Sequence, residues 1–78
     1  MQLTIITRDK QIFEGLVTSI TLPGSAGSFQ ILSNHAPLIS TLTSGKISYS
    51  SPDSQESLFI KEGLVEVCNN EVNVLVEV

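Results

Sequence analysis

One histidine, one cysteine and a scatter of carboxylates are the side chains of this sequence that could do chemistry. His35 lies in the loop-like stretch Ser33-Asn34-His35-Ala36-Pro37. A loop histidine can serve as a general base. It then needs a nucleophile or a substrate pocket beside it, and a further group to orient its ring. No spacing signature joins His35 to Cys68. Cys68 has no second cysteine to pair with and no companions for a metal cluster. Glu62, Glu66, Glu71 and Glu77 are dispersed along the C-terminal part. Glu66 and Glu77 alternate with apolar residues, as carboxylates on a solvated strand face do. Gly24-Ser25-Ala26-Gly27 is rich in glycine but lacks the lysine and helix that complete a phosphate cradle. These residues name no catalytic group, metal site or cofactor. His35 is expected to fix its loop or to meet a partner, and Cys68 to fill a small apolar space at a strand end. The alternative reading is a small ligand-binding or hydrolytic β-sandwich with its site at His35. That reading requires a pocket beside the imidazole.

The totals narrow the function classes. A chain of 78 residues makes one domain, residues 1–78, with a thin core. Its hydrophobic fraction of 41% against 15% charged residues is that of a folded protein. A net charge of -4 argues against nucleic acid, which selects basic surfaces, and against docking on anionic lipid. The N-terminus runs straight into a strand-like pattern with no signal-peptide organisation. No direct membrane insertion is expected. The one long uncharged run, Gly15 to Gly45, is broken by Pro23, Gly24, Gly27, Asn34 and Pro37.

That run is the compositional anomaly of the chain. Its residues either fill the core or face another molecule, since interface centres are depleted of charge. The small residues Gly24, Ser25, Ala26, Gly27 and Ser28 would let a partner backbone come close.

The elements that position these residues are all strands. Gln2 to Thr7 alternates, with Leu3 and Ile5 on one face. Gln11 to Leu22 reads as one long strand that bends and serves two sheets, with Gly15 marking a bulge or a close backbone approach. Pro23-Gly24 carries a turn signal. Ser28 to Ile31, Leu38 to Leu42, Lys46 to Ser50 and Ser57 to Lys61 are short strands, with Ile47 and Tyr49 inward. Leu64 to Cys68 and Val72 to Val78 form a hairpin across Asn69-Asn70, which suits a two-residue turn. Val72, Val74, Val76 and Val78 form one apolar stripe. Eight or more short strands with no helical periodicity predict an all-β sandwich or barrel.

Several of these segments, taken together, resemble one family. Phe13-Glu14-Gly15-Leu16-Val17, Leu22-Pro23-Gly24 with Gly27 and Phe29, and Ile31-Leu32-Ser33-Asn34-His35-Ala36-Pro37-Leu38 are similar to the epsilon subunit of F-type ATP synthases. The likeness continues at Leu42, Gly45, Ile47, Gly63-Leu64-Val65-Glu66-Val67 and Asn70-Glu71-Val72-Asn73-Val74-Leu75. The mitochondrial counterpart is the delta subunit. The resemblance implies a flattened β-sandwich of about ten short strands. It implies a non-catalytic subunit of the central stalk, or rotor, of a proton-translocating synthase, on the cytoplasmic face of the bacterial inner membrane. The implied partners are the gamma subunit, the polar loops of the c-ring and, indirectly, the catalytic alpha/beta assembly. By motif position, Gly24, Ser25, Ala26, Gly27 and Ser28 correspond to the loop that faces the c-ring. Asn34, His35, Ala36 and Pro37 correspond to a second loop near the gamma and c-ring contacts. Family members often carry an acidic residue in the first loop, where this chain has only neutral ones. Typical bacterial members continue into a two-helix hairpin that binds ATP and inhibits hydrolysis. A sequence ending at Val78 is expected to lack that hairpin.

Overall fold

A computed structural model describes all residues, Met1–Val78. The nine strands are β1 (Gln2–Ile6), β2 (Gln11–Leu16), β3 (Ser19–Gly24), β4 (Gly27–Leu32), β5 (Leu38–Leu42), β6 (Gly45–Ser50), β7 (Gln55–Ile60), β8 (Glu62–Cys68) and β9 (Glu71–Glu77). There is no helix within them or between them. The expected all-β architecture is present, one strand short of the ten implied by the resemblance.

Hydrogen bonding runs β2-β1-β9-β8-β5-β3-β6-β7, with β4 on the other side of β3. The order divides naturally at β5 and β3, which pair only where Gly24 meets Leu42. On one side lies a five-stranded sheet, β2-β1-β9-β8-β5. On the other lies a four-stranded one, β4-β3-β6-β7. All pairs are antiparallel except β1 with β9, which are parallel. The two layers close over one core of 15 buried apolar residues with no buried polar side chain. Leu3, Ile5, Val65, Val67, Val72, Val74 and Val76 come from the five-stranded layer, and Ile20, Leu22, Ile31, Ile47 and Tyr49 from the other. Phe13 of β2 meets Tyr49 of β6 across the layers, ring centroids 4.6 Å apart and tilted by 47°. Tilted rings at that distance gain from edge-to-face attraction beyond their burial. The molecule measures 26 × 23 × 18 Å.

The expected long strand Gln11 to Leu22 is two strands. The break falls at Val17-Thr18, and the halves serve different sheets, as the bend required. Val17 is buried and exchanges backbone hydrogen bonds with Met1, while the Thr18 amide and hydroxyl both donate to the Ser50 carbonyl. Each residue thus belongs to a different layer, and the chain crosses between them there. The bulge of β2 lies at Ile12, which the β1 register skips, not at Gly15. No other backbone comes close to Gly15 either: what a Cβ there would meet is the Phe13 ring of its own strand, at 3.1 Å.

Pro23-Gly24 is not the turn. Both residues finish β3, and the reversal is at Ser25-Ala26. The β3–β6 pairing ends at Thr21 and Ser48, so the missing Pro23 amide costs no rung there. The glycine of this hairpin with positive φ is Gly27, at +129°, and not Gly24. Asn69-Asn70 does form the two-residue turn, with φ of 52° and 60° closing β8 onto β9. Of the valine stripe, Val72, Val74 and Val76 are buried, but Val78 lies beyond β9 and is half exposed. Cys68 is exposed, not a core filler, because its neighbour Val67 takes the inward position of β8.

Tyr49 has a measurable signature. Burial, and secondarily the Glu56 carboxylate paired with it across β6 and β7, raise its pKa above the ordinary value near 10. Below about pH 10 the phenol is protonated in both folded and unfolded chains and has no effect on the balance. As pH rises further the unfolded chain loses the proton first, so stability falls through the folded-state pKa. Urea midpoints between pH 9 and 11.5 are expected to decline more steeply for the wild type than for Tyr49→Phe. Equal slopes would contradict this account.

Candidate functional site

The two loops expected to meet partners lie at opposite ends of β4, the strand Gly27–Leu32. Ser25 and Ala26 form the tip of the β3–β4 hairpin, between Gly24 and Gly27. The Ser25 amide donates to the Thr41 carbonyl at 3.2 Å, and the two hydroxyls meet at 2.9 Å. The Thr43 amide donates to the Pro23 carbonyl at 2.8 Å. These bonds pin the tip to the end of β5, and Gly24 makes the approach feasible. A Cβ on Gly24 would lie 2.7 Å from both the Gly27 carbonyl oxygen and the Phe29 ring. Ser25, Ala26, Gly27 and Ser28 are exposed, while Gly24 is buried. Gly24 is therefore the support of this loop and not part of its surface.

From the tip, β4 runs five residue steps to Leu32, roughly 17 Å at about 3.4 Å per step. The second loop begins there. Asn34 takes φ 64°, and its amide donates to Asn70 Oδ1 of the β8–β9 turn at 2.8 Å. Asn34, His35, Ala36 and Pro37 are all exposed. The structure therefore brings the second loop to the Asn69-Asn70 turn and keeps it apart from the first.

His35 stands on open surface. Its Nδ1 lies 2.7 Å from the carbonyl oxygen of Ala36, a local bond that fixes the ring against its own loop. None of the three concavities of the molecule is lined by it. A site for ligand binding or hydrolysis at His35 has no pocket to work in, and that alternative is set aside.

What the alternation along single strands passed over is the outer face of the five-stranded sheet. Register places Leu64, Leu75 and Ile6 side by side on β8, β9 and β1, all pointing away from the core and partly exposed. The next row holds Ile39, Glu66, Asn73, Thr4 and Glu14. Leu75 was the available signal, because it breaks the polar side of the valine stripe where Asn73 and Glu77 flank it.

The family described as ATP synthase, Delta/Epsilon chain, beta-sandwich domain matches residues 1–78, the whole sequence. This chain belongs to that family. It is 44% identical over 77 residues to the ATP synthase epsilon chain of Chlorobium limicola, covering 97% of this chain and 88% of that one. It is 42% identical over 78 residues to the ATP synthase epsilon chain of Nitratiruptor sp., covering 99% of this chain but 60% of that one. Among solved structures, the Euglena gracilis mitochondrial ATP synthase, OSCP/F1/c-ring in rotational state 1, contains a chain of like fold. The TM-score is 0.89 at 21% identity, over 95% of this chain and 48% of that one. The Tetrahymena thermophila mitochondrial ATP synthase central stalk/c-ring gives 0.83 at 19% identity, over 99% and 63%. At those identities the two structures establish the fold. The delta/epsilon-type sandwich described above is therefore the domain that this sequence shares with its relatives. No helix of the structure is long and apolar enough to cross a membrane.

Proposed function

We propose that this delta/epsilon-family chain is a non-catalytic rotor subunit that binds gamma and the c-ring polar loops and so couples rotation to ATP synthesis. The supporting observation is the β3–β4 tip. It is uncharged, exposed and held to β5 by backbone and hydroxyl hydrogen bonds. A tip so braced can carry a lateral load without rearranging, and its small side chains admit another backbone closely. Ser25, Ala26, Gly27 and Ser28 face the c-ring in this reading. Asn34, His35, Ala36 and Pro37, at the far end, lie on the gamma side. One small sandwich can thus bridge two partners. Proton-translocating activity and a place on the cytoplasmic face of a bacterial membrane belong to the complex in this reading.

The test is a tip variant that leaves the fold alone. Ala26→Arg puts a positive charge, opposite in sign to the acidic residue that family members often carry in this loop, on an exposed turn position and is expected to change stability by less than about 0.5 kcal/mol. Reconstituted with the other subunits in vesicles, it is expected to keep gamma binding and to lower proton pumping per ATP hydrolysed. Unchanged coupling with Ala26→Arg, and with Ser28→Arg two residues on, would overturn the c-ring assignment of this loop.

A further inference from the structure

The second loop, residues 33–37, carries the chain from β4 in one layer to β5 in the other. All five residues are exposed, so none of its side chains is anchored in the core. No backbone–backbone hydrogen bond outside the strands involves them. The His35 ring bonds to the Ala36 carbonyl of the same loop. One hydrogen bond ties the loop to the rest of the molecule, from the Asn34 amide to Asn70 Oδ1 at 2.8 Å. The donor is an N–H, so the atom of Asn70 that meets it is the side-chain oxygen. Both ends of this clasp are prepared. Asn34 holds φ 64°, a left-handed conformation that asparagine tolerates better than most residues. Asn70 is the second residue of the β8–β9 turn, at φ 60°, and its own carbonyl accepts the Gln2 amide at 3.1 Å. Its backbone is therefore fixed by β8, β9 and the start of β1 before its side chain reaches the loop.

We propose that Asn70 is the positioning residue of the second loop, its side-chain oxygen holding residues 34–37 in the form that gamma receives. The inference rests on the rotor reading above, which puts this loop on the gamma side, and adds the residue that presents it. Pro37 restricts Ala36 to extended conformations at one end of the loop. Asn70 supplies the constraint at the other end. Without that bond the loop samples more conformations, and each one that gamma does not receive lowers the fraction of molecules competent to bind. A loop already held in place has less freedom to lose on association. Positioning has a kinetic signature. Fewer competent molecules slow association, while the complex once formed keeps its contacts and its dissociation rate. A direct contact between Asn70 and gamma would act on dissociation instead.

The experiment uses the whole chain, the purified gamma subunit of the same synthase and two substitutions at one position. Asn70→Gly removes the side chain and keeps the positive φ. The Asn-Gly pair it leaves is favoured in two-residue hairpin turns, so the melting temperature is expected to hold. Asn70→Asp keeps an oxygen in the same place. Asn69→Gly makes the same backbone change at the other turn residue, φ 52°, and serves as the control. In the free chain, Asn70→Gly is expected to abolish the protection of the Asn34 amide against hydrogen exchange, and the other two variants to keep it. With gamma, Asn70→Gly is expected to slow association by about three- to tenfold, the range that one lost hydrogen bond allows, at an unchanged dissociation rate. Asn70→Asp and Asn69→Gly are expected to associate as the wild type does. An Asn34 amide equally exposed to exchange in the wild type and in Asn70→Gly overturns the inference. A wild-type association rate for Asn70→Gly also overturns it and leaves the rotor reading standing. An effect confined to dissociation does the same, because Asn70 is then a contact of gamma. If the wild type forms no complex with gamma, the rotor reading fails and this inference with it.

Discussion

Val74→Asp is expected to remove most of the stability of the folded state at 25 °C. Val74 is 1% exposed and sits between Ile5 of β1 and Val65 of β8, both fully buried. No positively charged side chain reaches that position, because the core has no buried polar group at all. An unpaired carboxylate there either stays ionised in an apolar surrounding or takes up a proton, and each course costs about 3–5 kcal/mol or more. At roughly 0.05–0.15 kcal/mol per residue, a domain of this size has about 4–12 kcal/mol in total. Far-ultraviolet circular dichroism and a urea titration would check it, with Asn73→Ala, one residue away on the solvated face, as the control. A cooperative transition at the wild-type midpoint for Val74→Asp would mean that β9 faces the other way.

Gly24→Val is expected to lower the melting temperature by roughly 5–20 °C, from about 1–3 kcal/mol of overpacking. The added Cβ would lie 2.7 Å from the Gly27 carbonyl oxygen, a backbone atom that cannot move aside like a flexible side chain. The Phe29 ring is equally close. Relief requires β3 and β4 to part at their tip, which also draws Ser25 away from Thr41. The variant is therefore expected to lose coupling more than Ala26→Arg does, and by a different route. Gly27→Val separates crowding from backbone strain. Nothing lies within 4 Å of its Cβ, so its cost comes from φ +129° alone. Thermal melts of the two variants measure the difference. A Gly24→Val protein as stable as the wild type would show that the hairpin tip is not braced through this glycine.

Both variants probe what could be read at different levels. The inward positions Leu3, Ile5, Ile47, Tyr49, Val72, Val74 and Val76 follow from alternation, since successive side chains of a strand point to opposite faces. The Asn69-Asn70 turn follows from the tolerance of asparagine for positive φ. Pro23-Gly24 misleads for a reason of context. Those residues fit a turn locally, but the pairing of Gly24 with both Gly27 and Leu42 holds them in a strand. The break at Val17-Thr18 has no glycine or proline to mark it and arises from bonds to Met1 and Ser50, far away in sequence.

The sequence by itself determined the all-β class, most of the inward faces, the absence of charge from Gly15 to Gly45 and the likeness to the family. These are local properties: period-two patterning, turn chemistry and motif spacing act within a few residues. Tertiary structure alone decided where those pieces stand. It set the two neutral loops roughly 17 Å apart, because β4 runs extended from one to the other. It left His35 on open surface and turned Cys68 outward. It also assembled Ile6, Leu64 and Leu75 into one row, from strands at the two ends of the chain. That row exists because β1 pairs in parallel with β9, a contact between residues about seventy positions apart. No periodicity within a single strand encodes such a pairing.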